Sequence, residues 1–247
     1  MNILLAVAFL FLKTGEKFAT QESAGPTVAG LTSSLGAYEP QVLNDPVKAV
    51  EFCAAKKPAV GIVTPGFFLA YNRALGMEPV LETRRQNVPA ERYVLVTGKN
   101  AGDDLHGKTI ATTLAKEERY VTAVILAGKL GEEVRLKPVT DVEGAAFDLA
   151  DGAKDAAEAV LMEEGAWKAL SADEELGPKL KAAFTSEELP RDLVVIFRPN
   201  AGSLDIEKLK TALKQTDKQI LSSIRVEAFV DVDKERLSKA EALYRAK

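Results

Sequence analysis

Three short stretches of this chain place hydroxyl, carboxylate or cationic groups where a small solute could be held. Thr64, Pro65, Gly66 and Phe67 follow an apolar run and open a helical pattern. That arrangement sets a hydroxyl, the unsatisfied N–H groups of a helix start and an aromatic face side by side. Thr112 and Thr113 follow the strand-like Lys108 to Ala111, with Arg119 and Tyr120 a few residues on. Glu163 comes directly after the apolar run Ala159 to Met162. The chemistry these types suggest is recognition: hydroxyls and amides donate to an anion, an arginine grips a carboxylate or phosphate with two parallel bonds, and Glu163 accepts from a cationic or donor-rich group. Each also has a plainer reading. Thr64 to Phe67 is equally a packed turn with core phenylalanines, Arg119 a surface arginine, and Glu163 with Glu164 a solvated acidic pair.

Residue types suited to covalent or metal chemistry are scarce. The single cysteine, Cys53, lies in the helical pattern AVEFCAA and excludes an internal disulfide or a CxxC motif. The single histidine, His106, lies in the turn-like DDLHGK, which excludes a histidine-rich metal site and would make a Ser-His-Asp set depend on a loop residue. No metal, cofactor or catalytic set is expected.

Of the 247 residues, 47% are apolar and 28% charged, and the formal net charge is −4. This is the composition of an ordinary globular protein, with enough apolar residues for one large core or two smaller ones. Lys and Arg are dispersed, without the basic stripe that phosphate-backbone binding needs, so nucleic acid is not an expected partner. The apolar run Ile3 to Leu12 is about half the ~20 residues a membrane-spanning helix requires. It also lacks the preceding positive charge and following small residues of a signal peptide. A buried strand of a parallel sheet is the expectation, with no membrane insertion and no signal peptide within this chain.

The elements that must position the three stretches alternate strand and helix, as in a parallel sheet with crossover helices. Ile3–Leu12 and Tyr38–Leu43 read as strands, Ala24–Leu35 as a helix ending at Gly36. Asn44, Asp45 and Pro46 supply a cap and a first-turn proline for a helix Val47–Lys56, and Ala59–Val63 is a buried strand leading into Thr64. Pro79–Glu82 and Tyr93–Thr97 flank a polar connection, Arg84 to Arg92. Beyond it come strands Lys108–Ala111 and Val134–Pro138, helices Glu117–Ala127 and Val142–Leu149, the run ending at Met162, and a returning strand Leu193–Phe197. The amphipathic Ile206–Leu213 begins a helical C-terminal portion expected to cover the first domain. The fold class is α/β, with domain 1 from 1–92 plus 195–247 and domain 2 from 93–194.

In this order the blocks AVEFCAAKKPAVGIVTPGFF, DDLHGKTIATT, DAAEAVLMEEGAWKAL, FTSEELPRDLVVIFRP and VEAFVDVDKERL resemble the substrate-binding proteins of phosphate/phosphonate-type ABC transporters. The resemblance spans nearly the whole chain. It implies a two-domain type 2 periplasmic-binding fold with a hinge and an interdomain cleft, an extracytoplasmic location, a small-molecule ligand and a transporter permease as partner. Strand ends and helix starts place the expected ligand contacts at Thr64, Gly66, Phe67, Thr112, Thr113, Arg119, Tyr120 and Glu163, and the resemblance adds that an acid at the position of Glu163 often meets the ligand. Where the resemblance leads one to expect a Ser/Thr-Ser-Gly anion loop, this chain reads LAKEERY. Glu117 and Glu118 at a helix start satisfy its dipole themselves and repel a phosphonate. The leading reading is therefore a monomeric solute-binding protein for a polar or amphipathic ligand that is not a phosphonate. An enzyme on the same fold, of the menaquinone-pathway type and cytoplasmic, is the alternative, and an interaction module with a decayed cleft is a third.

Overall fold

In a computed structural model, residues 7–15, 20–36, 38–102, 104, 106–129 and 134–246 are described. The first four residues of the expected strand Ile3–Leu12 lie outside these. The chain divides into two units, 1–89 with 190–234 and 90–189 with 235–247, and each has a sheet of its own.

The first unit is built on a six-stranded sheet. Strands β1 (Val7–Leu12), β2 (Tyr38–Leu43) and β3 (Val60–Val63) run parallel. Beyond β3 lie β10 (Leu193–Phe197), β4 (Met77–Arg85) and β11 (Val226–Val230). Strand β10 is antiparallel to both β3 and β4, and β11 is antiparallel to β4. The sheet is thus mixed where periodicity had suggested a parallel one, because alternation of strands and helices does not encode the direction in which a returning strand inserts. All of β3 is buried, and a Cβ on Gly61 would stand 2.9 Å from the carbonyl oxygen of Leu10. Only glycine lets β1 approach so closely at that point.

Helix α1 (Gln21–Leu35) packs on one face with α6 (Ile206–Lys214) and α7 (Lys218–Ser223). Their Val28, Leu31, Leu209, Leu213 and Leu221 form a core with Phe9, Phe11, Ile62 and Leu81 of the strands. Helices α2 (Pro46–Lys56) and α3 (Pro65–Leu75) start from side-chain caps followed by a first-turn proline. Asp45 accepts from Val47 N–H at 2.9 Å, and Gly76 ends α3 in the left-handed region at φ 61°.

The second unit has five strands in the order β7 (Arg135–Pro138), β6 (Thr109–Thr112), β8 (Ala159–Glu163), β5 (Tyr93–Gly98) and β9 (Leu180–Thr185). Strand β6 is parallel to β7 and β8, whereas β5 is antiparallel to β8 and β9. Helices α4 (Val142–Ala150) and α5 (Glu164–Ser171) bring Ala146 and Leu170 onto a core of Val94, Val96, Val160 and Met162.

Two further features depart from expectation. Glu117–Ala127 is a 3-10 turn at Ala115–Glu117 followed by a π-helical stretch at Tyr120–Ile125. Its run of Val121, Thr122, Val124 and Ile125 is poor for a regular helix, and Leu126 N–H reaches back to Val121 O at 2.9 Å. The last helix, α8 (Lys234–Arg245), belongs almost wholly to the second unit. Its partners explain why: Arg236 pairs with Glu188, Lys239 with Glu187, and Tyr244 receives Arg119.

Candidate functional site

In the first unit the carboxyl ends of β1, β3 and β4 share an edge with the start of β10. Thr64 caps α3 there, its Oγ1 accepting from Phe67 N–H at 3.4 Å. Gly66 is buried, and Phe67 is only 1% exposed, its ring centre 4.9 Å from that of Tyr71 with the two planes tilted by 46°. Lys13, just after β1, forms an ion pair with Asp192, and Arg191 stands 3.7 Å from Glu82 with both side chains at most 10% exposed. Glu82 also accepts from Asp233 N–H at 3.3 Å. Two cation–carboxylate pairs and one helix cap therefore close this edge, and burial of such pairs demands good partners.

On the α1 side of the same edge lies a cavity that sequence reasoning missed. Lys13, Arg85 and Arg225 line it with Ser23 and Thr27, above an apolar floor that includes Phe11 and Val28. Arg85 falls in the polar stretch read as a connection, whereas β4 continues through it. Nothing local in the sequence ties three cations so far apart to one cavity.

In the second unit, parallel β6 and β8 place Thr112 and Glu163 at one carboxyl edge, where open α/β sheets bind ligands. Thr112 is fully buried and its Oγ1 accepts from Leu114 N–H at 3.2 Å, holding the turn that leaves β6. Thr113 is half-buried beside it. Glu163 occupies the cap position of α5 without making the side-chain cap bond and is half-buried, directly across from Tyr93. Glu117 is 8% exposed in the 3-10 turn after the threonines, while Glu118 is exposed. Tyr120 is 5% exposed. Arg119 turns to α8, where its Nε donates to Tyr244 O at 2.8 Å and its guanidinium lies 5.0 Å from the Tyr244 ring centre. Thr112, Thr113 and Glu163 thus share an edge. Arg119 is engaged by α8, and Thr64, Gly66 and Phe67 belong to the first unit.

Among the described residues, neither the cysteine nor the histidine forms a rival centre. Burial pushes the Cys53 thiol up to about 12, so its reactive thiolate is negligible near neutrality. His106 is exposed in its turn, with its N–H on Asp104 Oδ1 at 3.0 Å. No cluster of three or more His, Cys, Asp or Glu side chains suited to a metal occurs among the described residues, and no described helix is long and apolar enough to cross a membrane.

Residues 11–237 match the family described as ABC transporter, phosphonate, periplasmic substrate-binding protein. The chain belongs to this family. It is a solute-binding protein of the ABC transporter type, with the periplasmic-binding fold that the resemblance implied, and the family's members work outside the cytoplasmic membrane and are not enzymes. No curated protein sequence matches it. Among solved structures, XAC2383 from Xanthomonas citri bound to ATP has 14% identity and a TM-score of 0.67, covering 98% of each chain. A binding protein component of an ABC phosphonate transporter from Pseudomonas aeruginosa has 15% identity and a TM-score of 0.63, covering 96% of this chain and 84% of its own. PhnD1 from Prochlorococcus marinus in complex with methylphosphonate has 13% identity and a TM-score of 0.63, covering 98% of each chain. At these identities the likeness is one of fold.

Proposed function

We propose that this member of the family captures a polar or amphipathic solute other than a phosphonate, as a monomer, and delivers it to an ABC permease from the outer side of the cytoplasmic membrane. The observation that carries the reading is Glu117. It lies buried in the 3-10 turn directly after Thr112 and Thr113, where the resemblance leads one to expect hydroxyl-rich anion contacts. A carboxylate in that turn opposes a phosphonate dianion through like charge in a poorly solvated place. What the edge offers instead is Glu163, a half-buried acceptor suited to a donor-rich or cationic group.

Solved relatives on the same fold carry solutes as unlike as methylphosphonate and ATP, so the fold leaves the choice of solute to the residues at the edge. Native mass spectrometry of gently purified protein tests the reading. A co-purified small molecule without phosphorus, lost or weakened about 10-fold or more in Glu163→Ala, is the expected outcome for a charge-assisted hydrogen bond. A bound phosphonate, or equal retention of the molecule by Glu163→Ala, contradicts it.

A further inference from the structure

We propose that α8 positions the solute edge of the second unit by bracing both of its arms, with Ser186 and Arg119 as the positioning residues. This rests on the reading that the edge of Thr112, Thr113 and Glu163 receives the solute, though not on which solute it is. The first arm is the strand pair that presents Glu163. Tyr93 of β5 lies directly across from Glu163, and Glu164 N–H donates to Arg92 O at 2.9 Å, so the start of β5 sets where that carboxylate stands. Ser186 closes on this start twice. Its N–H donates to Tyr93 O at 2.8 Å, and its Oγ accepts from Tyr93 N–H at 3.0 Å. The same Oγ donates to Glu187 O at 2.8 Å, and Ser186 is only 2% exposed. Glu187 and Glu188 then pair with Lys239 and Arg236 of α8.

The second arm is the turn that leaves β6. Arg119, between the 3-10 turn that carries Glu117 and the π-helical stretch, is held by Tyr244, roughly two turns beyond Arg236 on α8. One helix thus grips both arms at separate points. Core packing alone does not account for its place, because only Leu237 and Ala240 of α8 are buried, and the Lys239 and Glu187 side chains are 59% and 77% exposed. Contacts so exposed add little to global stability. Their effect is local: α8 loosens without the sheet unfolding, and the edge loosens with it.

Hydrogen exchange of the full chain dialysed free of solute, followed amide by amide, is the test, with the side-chain carboxyl carbon resonance of Glu163 as a reporter. Lys239→Ala should speed exchange at Tyr93, Ser186 and Glu164 about 2–5-fold and shift the Glu163 resonance, whereas Lys239→Arg should behave as the parent. Ser186→Ala should shift that resonance too. Combining Arg236→Ala with Lys239→Ala should raise the exchange effect to about 10-fold or more. Tyr244→Ala should act on the other arm, speeding the amide of Glu117, which donates to Leu114 O. The amide of Lys99, beyond the far end of β5 and bonded to Lys179 O, should keep its rate in every variant, since a general loss of stability would speed it as well. Unchanged rates at Tyr93 and Ser186 in the double variant, an unmoved Glu163 resonance, or equal acceleration at Lys99 would overturn the proposal. Failure of the solute reading shows elsewhere, as a co-purified molecule kept by Glu163→Ala, and leaves these rates as they are.

Discussion

The two sheets end in contrasting ways at their carboxyl edges. In the first unit a regular helix, α3, starts from a side-chain cap, and the edge around it is locked by Lys13 with Asp192 and Arg191 with Glu82. In the second unit β6 runs into a 3-10 turn and a π-helical stretch, and α5 begins at Glu163 without its side-chain cap bond. Irregular helix of this kind is common at functional sites, because it forgoes standard hydrogen bonding to aim particular groups. The contrast teaches that similar sequence signals, threonine after a buried strand, serve different ends. Thr64 caps a helix built for packing, whereas Thr112 shapes a turn that carries a buried carboxylate.

The largest effect should come from the packed edge. Phe67→Ala removes a fully buried ring and should destabilise the first unit by about 3–5 kcal/mol in denaturant unfolding. A loss under ~1 kcal/mol would mean that the ring is not part of the core and would blur the contrast. Next, Asp192→Ala removes an ion-pair partner of Lys13 in a mostly buried place and should cost about 1–3 kcal/mol, below the full penalty of a completely buried pair. Removing the caps separates the edges further. Thr64→Ala should cost about 1 kcal/mol, as other helix caps do, whereas Glu163→Ala, which makes no cap bond, should leave stability within about 0.5 kcal/mol.

Acid should act on the clasp between α8 and the rest of its unit. Lys239 beside Glu187 holds that carboxyl below its ordinary 4.5. A carboxylate whose value is lowered on folding contributes stability above its unfolded value, and that contribution fades as pH falls through the lowered one. Lys239→Ala should therefore flatten the loss of stability on acidification below pH 4.5 by a small amount, because the pair is exposed. Unfolding curves of both proteins across that range decide it; identical pH dependence would remove the pair from the account.

Much of this was readable from local chemistry. The Asn44-Asp45-Pro46 and Thr64-Pro65-Gly66 starts became capped helices, and Ala159 to Met162 became the strand that carries Glu163 to an edge. Features set by distant partners were not readable. Strand β9 reads Leu-Lys-Ala-Ala-Phe-Thr and stays largely exposed even when paired with β5, so burial left little mark on its sequence. The membership of α8 depends on Arg119, Glu187 and Glu188. The cavity brings together Lys13, Arg85 and Arg225 only because β11 pairs with the far end of β4.

The central claim is that Glu117, buried in the turn that follows Thr112 and Thr113, excludes the phosphonate that the family's description would suggest. Calorimetric titration of the purified chain with methylphosphonate tests it most directly. The account predicts no saturable binding at micromolar concentrations, and micromolar affinity for methylphosphonate would contradict it.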